Sequence, residues 1–220
     1  MMKCLTMLMF FQVYGSSWAN AYLMEIFENT KLWCFVRGEK QIKGIDFFHT
    51  YAPAVSWPVV CLMLTLSILC DLKTRQVNYS NAFAQAEIDD DVYIMLPDSF
   101  EAPINGNNIL KLCKSLHRLW QCPLAWFDKH SAGQKLKGFV VSEIDPCLFI
   151  KPNIICIIYM DDCLFFAHHN SIIDAMIDNL WHDFQLEPEA NVTAFLGIKI
   201  IHVEKMHMVA LTQPALIHWI

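Results

Sequence analysis

The sequence is short of charge, and above all of positive charge. Only 17% of its 220 residues are charged, and 22 acidic residues outnumber 16 basic ones, which gives a formal net charge of −6. Affinity for duplex nucleic acid depends largely on Lys and Arg at phosphates, so this balance argues against a free-standing nucleic-acid-binding protein. Two local stretches, 37–43 and 111–118, are rich in Lys and Arg, and we interpret each as an ordinary solvated face.

The nine cysteines are odd in number and include no C-x-x-C pair. This pattern excludes a zinc ribbon and does not suit the paired framework of a secreted disulfide protein, so it favours a reducing, intracellular compartment, the cytoplasm or nucleus. Two mainly apolar runs, 5–13 and 59–72, are too short to span a membrane. The first follows Lys3 and precedes small residues, so a secretory signal is the alternative interpretation of the N-terminus.

Apolar residues are abundant: 55% of the chain is hydrophobic, and the mean hydropathy is +0.32. A chain of this length and composition can bury a substantial core. We expect so apolar a sequence to belong to a larger assembly whose other parts cover some of its surface.

Two adjacent carboxylates, Asp161 and Asp162, stand between two runs of β-branched, aromatic and aliphatic residues at 154–159 and 163–167. This pattern predicts two buried strands joined in a hairpin with an acidic tip. Paired anions at an apolar rim favour a cation beside them, and oxygen ligands on a tight turn suit Mg²⁺. The alternative is a solvated turn, because turns favour Asp.

The string Tyr159-Met160-Asp161-Asp162, with its continuation at 163–167, resembles the catalytic turn of Ty1/copia-type reverse transcriptases. Other segments resemble that family in the expected order along the chain. They are G-I-D-F-F-H-T-Y-A-P-A-V at 44–55, Q-V-N-Y-S-N-A-F at 76–83, V-Y-I-M-L-P at 92–97, L-C-K-S-L to P-L-A-W at 112–126, D-P-C-L-F at 145–149 and F-L-G-I at 195–198.

The resemblance implies an α+β fold: the fingers and palm of a right-hand polymerase, with an antiparallel palm sheet backed by helices, over residues 31–220. Residues 1–30 stay unassigned. It further implies an RNA-directed DNA polymerase that performs template-directed nucleotidyl transfer with two Mg²⁺ ions, held in part by Asp161 and Asp162. The implied partners are an RNA or DNA template-primer, a deoxynucleoside triphosphate and other segments of a retrotransposon polyprotein, without a membrane.

Five residues are implied to contact the nucleotide: Lys31, Phe83, Gln121, Tyr159 and Met160. In the family, the lysine lies over the triphosphate, the aromatic residue lies by the sugar, and the glutamine approaches the incoming nucleotide. An exposed lysine on an edge strand is the alternative for Lys31.

Several positions depart from the family pattern, and three of them bear most directly on the implied activity. Asn78 stands where the family has an Asp that binds both metal ions, Arg118 replaces a glycine, and Trp33 replaces an arginine of the basic strand. An amide is a weaker, neutral ligand for Mg²⁺, so we expect an impaired, degenerate and truncated copy without thumb, RNase H or integrase segments. The alternatives are a non-catalytic remnant that binds nucleic acid or a partner, and an unexpressed relic.

The sequence also predicts local structure beside the resemblance. We expect a buried helix over 59–72, a strand from residue 74 and an amphipathic helix over 171–185. The acidic trio at 89–91 is more typical of a solvated loop than of a metal site. Without the family, 110–127 is typical of one amphipathic helix.

Overall fold

The computed structural model describes residues 7–14, 32–95, 109–189, 192, 194–203 and 208–213, with side chains from residue 36 onward except 202 and 203. In chain order the elements are β1 (Met7–Tyr14), β2 (Leu32–Val36), a short 3-10 helix (Gly38–Lys40), α1 (Trp57–Leu69), β3 (Lys73–Tyr79), α2 (Ala82–Gln85), β4 (Tyr93–Met95), β5 (Ile109–Lys111), α3 (Cys122–Leu136), β6 (Val140–Val141), β7 (Leu148–Lys151), β8 (Ile154–Tyr159), β9 (Asp162–Ala167), α4 (Asn170–Trp181), β10 (Leu186–Glu189), β11 (Ala194–Phe195), β12 (Ile198–Val203) and β13 (Met208–Thr212).

The chain forms two compact units. Unit 1 comprises the described residues of Met1–Ala52 and Phe83–Lys129, and unit 2 those of Pro53–Ala82 and His130–Ile220. The predicted boundary between residues 30 and 31 falls among residues that the structure does not describe.

Unit 1 contains a four-stranded sheet in the order β2-β1-β4-β5. The β1–β2 pair is parallel, whereas β1–β4 and β4–β5 are antiparallel. Its core is made of small and medium apolar side chains, with Phe83, Ile88 and Leu116 packed against them. The core residues are Val36, Val92, Ile94, Leu110, Leu112, Leu119 and Cys122.

Unit 2 contains a six-stranded sheet in the order β10-β3-β9-β8-β7-β6, in which every neighbouring pair is antiparallel. Both faces of the central strands β8 and β9 are largely buried. This burial explains why their hydrophobic runs are continuous and do not alternate with polar residues. Helix α4 packs on β9 and β3 and buries Ile173, Met176, Ile177 and Leu180. The α+β class predicted from the sequence is confirmed.

Helix α1 precedes β3 and carries Pro58 in its first turn, where no intrahelical N–H partner is required. The predicted helix over 59–72 therefore exists, but it begins two residues earlier and ends at Leu69. It contacts β13, which belongs to a three-stranded antiparallel sheet in the order β11-β12-β13.

The helix predicted over 110–127 without the family is wrong in its first part. Leu110 and Lys111 pair with Ile94 and Tyr93 in the unit 1 sheet, and Arg118 has a φ of +76°, which a right-handed helix cannot contain. The helix in this region, α3, begins only at Cys122. Elsewhere the described helices include none that is both long and apolar enough to span a membrane.

Candidate functional site

The predicted acidic hairpin is confirmed in unit 2. Strands β8 and β9 pair so that Tyr159 lies opposite Asp162, which leaves Met160 and Asp161 as a two-residue loop. Met160 has a φ of +52°, a conformation that is strained for a residue with a side chain. Strain of this kind often lies at functional turns, where the surrounding structure holds it in place.

The strand beside β9 brings Asn78 to the tip of this hairpin. Strand β3 pairs with β9 in a register that sets Asn78 opposite Asp162, and the backbone N–H of Tyr79 donates to the carbonyl oxygen of Asp161 at 2.8 Å. Asp161, Asp162 and Asn78 are therefore neighbours, although 84 residues separate Asn78 from Asp162 in the sequence.

Two side-chain amides hold the Asp162 carboxylate. Nδ2 of Asn78 donates to Oδ1 of Asp162 at 3.3 Å, and Nε2 of Gln76 donates to the same oxygen at 3.1 Å. Sequence analysis did not single out Gln76. One feature of the sequence could have identified it: Gln76 is a polar residue two positions before Asn78, and side chains two positions apart on a strand lie on the same face.

Burial raises the pKa of Asp162 above its usual value, the hydrogen bonds from Gln76 and Asn78 oppose this, and the negative charge of Asp161 adds to it. A half-buried carboxylate beside a second anion is stabilised by an added positive charge. The electrostatics of the tip therefore favour cation binding.

The oxygen ligands at the tip suit one hard divalent cation, because Asp161 and Asp162 provide carboxylate oxygens of the type that Mg²⁺ prefers. A two-ion site needs more negative charge than these two residues carry. At the third position, Asn78 directs its amide N–H at Asp162, and the described residues contain no group of three or more His, Cys, Asp or Glu placed to hold a metal. The residues at the tip therefore suit one cation, and a site for two cations would need one more carboxylate.

The remaining candidates at the hairpin are Tyr159 and Met160. Tyr159 is half-buried and contacts Phe195 edge to face, with ring centroids 6.5 Å apart. Met160 is 45% exposed at the turn. Both residues thus lie beside the acidic pair, and their contact with a nucleotide stays a prediction.

Phe83 and Gln121 belong to unit 1. Phe83 packs edge to face on His117, with ring centroids 4.8 Å apart. Gln121 is only 4% exposed. Its Oε1 accepts a hydrogen bond from Gln41 and its Nε2 donates to the backbone oxygen of Asp46, each at 3.0 Å. Its amide therefore helps to fix the 41–46 loop.

Gln121 also lines a cavity of about 670 Å³ within unit 1. Its lining carries the carboxylates of Glu87, Asp89, Asp90 and Asp128 together with His49 and Lys129. Burial raises the pKa of Asp90, which a hydrogen bond with Gln121 opposes. Asp91, the last residue of the acidic trio, forms an ion pair with Lys111. Negative side chains thus outnumber positive ones in this lining.

Two residues predicted from the sequence lie wholly or partly outside the part of the chain that the structure describes. Lys31 lies outside the described residues, and the Trp33 side chain lies outside them as well. Arg118, in contrast, has the positive φ that the glycine of the family pattern would adopt freely.

Residues 18–218 match the family model described as "Reverse transcriptase (RNA-dependent DNA polymerase)". The chain therefore belongs to the reverse transcriptase family. No solved structure matches it.

Three relatives of the chain are retrovirus-related Pol polyproteins of transposons, which supports the predicted copia-type assignment. The chain is 28% identical over 183 residues to that of transposon TNT 1-94 from Nicotiana tabacum, covering 81% of this chain and 14% of the relative. It is 29% identical over 167 residues to the polyprotein of transposon RE1 from Arabidopsis thaliana, and the match covers 74% of this chain and 11% of the relative. It is 26% identical over 167 residues to the polyprotein of transposon RE2 from the same plant, and the match covers 74% of this chain and 12% of the relative. The chain thus spans only a small part of the length of these polyproteins.

Proposed function

We propose that this chain is the fingers and palm region of a retrotransposon RNA-directed DNA polymerase, and that its nucleotidyl transfer is impaired at Asn78. The observation that carries the proposal is the pairing of Asn78 with Asp162. At this position the family has a carboxylate, whereas this chain directs an amide N–H at its neighbour.

Asp161 and Asp162 are the residues that would hold Mg²⁺. When bound, the ion would supply charge stabilisation for the attack of a primer 3′-hydroxyl on the α-phosphate of a deoxynucleoside triphosphate, which displaces pyrophosphate. The sheet supplies the positioning: β3 and β9 fix Asp162, and the Tyr79 N–H holds the Asp161 backbone.

The substitution by Asn removes one negative charge from the site. If this removes about 3–6 kcal/mol of transition-state stabilisation, the rate falls by roughly 10²- to 10⁴-fold. Tyr159, Met160 and Phe83 are the proposed nucleotide contacts. Lys31 is proposed to contact the triphosphate, and Gln121 is proposed to approach the incoming nucleotide. The proposed partners are a template-primer, deoxynucleoside triphosphates and other segments of a polyprotein.

Primer extension on an RNA template, with a labelled DNA primer and Mg²⁺, tests the proposal. The proteins to compare are the chain as given, its Asn78→Asp variant, and the Asn78→Asp variant that also carries Asp162→Asn. Thermal melts recorded in parallel identify folded protein. We expect extension by the Asn78→Asp variant and its loss in the double variant; a folded Asn78→Asp variant that does not extend the primer contradicts the proposal.

A second candidate is a non-catalytic remnant that binds nucleic acid or a protein partner, and the amide at position 78 favours it. Fluorescence anisotropy with a labelled RNA/DNA hybrid separates the two. Tight binding by the chain as given, with no extension by any folded variant, would support the remnant.

A further inference from the structure

Gln76 contacts the hairpin tip through one atom of its amide. The residue lies two positions before Asn78 on β3, so both side chains are on the same face of the sheet. The residue is only 5% exposed, and its Nε2 lies 3.1 Å from Oδ1 of Asp162. A carboxylate oxygen can only accept, so the amide nitrogen must be the atom that faces it.

The other atom of the same amide has no hydrogen-bond partner. Oε1 of Gln76 is buried and accepts no hydrogen bond from the described residues. An unpartnered buried acceptor retains its desolvation penalty, and Leu or Met at this position would avoid it. The stability of the sheet therefore does not account for a glutamine here, whereas its bond to Asp162 does.

Both amides use the same oxygen of Asp162. Gln76 and Asn78 each donate to Oδ1, and Oδ2 accepts no hydrogen bond from any residue that the structure describes. A carboxylate held through one oxygen presents the other in a fixed direction, which is how ligands of metal ions are commonly oriented.

We propose that Gln76 is a positioning residue for Asp162, which it holds by Oδ1 so that Oδ2 is available to a divalent cation. The inference rests on the proposed function, because it concerns the same carboxylate. In the Asn78→Asp variant the new carboxylate has no N–H to donate. There, Gln76 provides the amide that still holds Oδ1.

Mn²⁺ is the probe, because the electron paramagnetic resonance signal of the free ion reports binding without any activity. Titrations use the full chain with Asn78→Asp, alone and combined with Gln76→Met, with Thr74→Val or with Asp162→Asn. We expect a Mn²⁺ site in the Asn78→Asp variant that Asp162→Asn abolishes. Adding Gln76→Met should weaken this site by about 10- to 100-fold. Thr74→Val changes the same face of β3 without a contact to Asp162, and should leave the affinity unchanged.

Thermal melts in EDTA separate positioning from a general structural role. Gln76→Met removes a hydrogen bond and also an unpartnered oxygen, so we expect its Tm to stay within a few degrees of its parent while the Mn²⁺ affinity falls. An unchanged affinity, or a loss of affinity that a large fall in Tm accompanies, would overturn the inference while the proposed function stands. If the Asn78→Asp variant has no Mn²⁺ site that depends on Asp162, the cation premise of the proposed function fails, and the role of Gln76 fails with it.

Discussion

The backbone oxygen of Arg118 lies 1.7 Å from the point that a Cβ on Gly38 would occupy. The two segments of unit 1 thus approach more closely than any side chain at position 38 would allow. A hydrogen bond from the Val36 N–H to the His117 oxygen, at 3.3 Å, joins the same two segments. Glycine is required at position 38 by this close approach of two backbones.

Gly38→Ala should therefore lower the free energy of unfolding by about 3 kcal/mol or more, because the contact is with backbone and cannot be relieved by a rotamer change. Urea unfolding followed by Trp fluorescence measures it. Gly44→Ala is the matched control: Gly44 has a φ of +86° but open space around it, so only the backbone strain of about 1–2 kcal/mol is expected. A loss at Gly38 no larger than that at Gly44 would contradict the prediction.

Arg118→Gly should raise the free energy of unfolding by about 1 kcal/mol, because glycine adopts a φ of +76° without the strain that a Cβ imposes. The same urea titration measures this change. Arg37 has a φ of −79°, so Arg37→Gly should destabilise the protein instead. Destabilisation by both substitutions would mean that the positive φ at Arg118 stores no appreciable strain.

The hairpin could be predicted from the sequence because its two strands are adjacent in the chain and apolar on both faces. The pairing of Asn78 with Asp162 could not, since it depends on the register of two strands far apart in sequence. Gln76 was missed for the same reason: its burial and its bond to Asp162 exist only once β3 lies beside β9. The 110–121 segment was misassigned because hydrophobic spacing does not reveal cross-strand pairing or a positive φ.

A buried histidine in unit 2 gives a pH dependence with a definite sign. His130 is fully buried, and burial lowers its pKa from 6.5 to about 3. The folded state therefore binds fewer protons than the unfolded state between these values. His130 should therefore leave the free energy of unfolding unchanged above about pH 6.5. As the pH drops from there toward 3, the free energy of unfolding should fall by up to about 1.4 kcal/mol per pH unit.

Urea unfolding at a series of pH values checks this dependence. His130→Gln should flatten the profile over that range, whereas His168→Gln, at an exposed position after β9, should leave it as it is. An unchanged pH profile in His130→Gln would show that another group causes the acid sensitivity.

The most direct test of the central claim is the single-turnover rate of incorporation of one deoxynucleotide, measured for the folded chain as given and for Asn78→Asp at saturating template-primer and Mg²⁺. The account predicts that the Asn78→Asp variant is faster by roughly 10²- to 10⁴-fold. Equal rates in the two folded proteins would contradict it, because the amide opposite Asp162 would then not be what limits the chemistry.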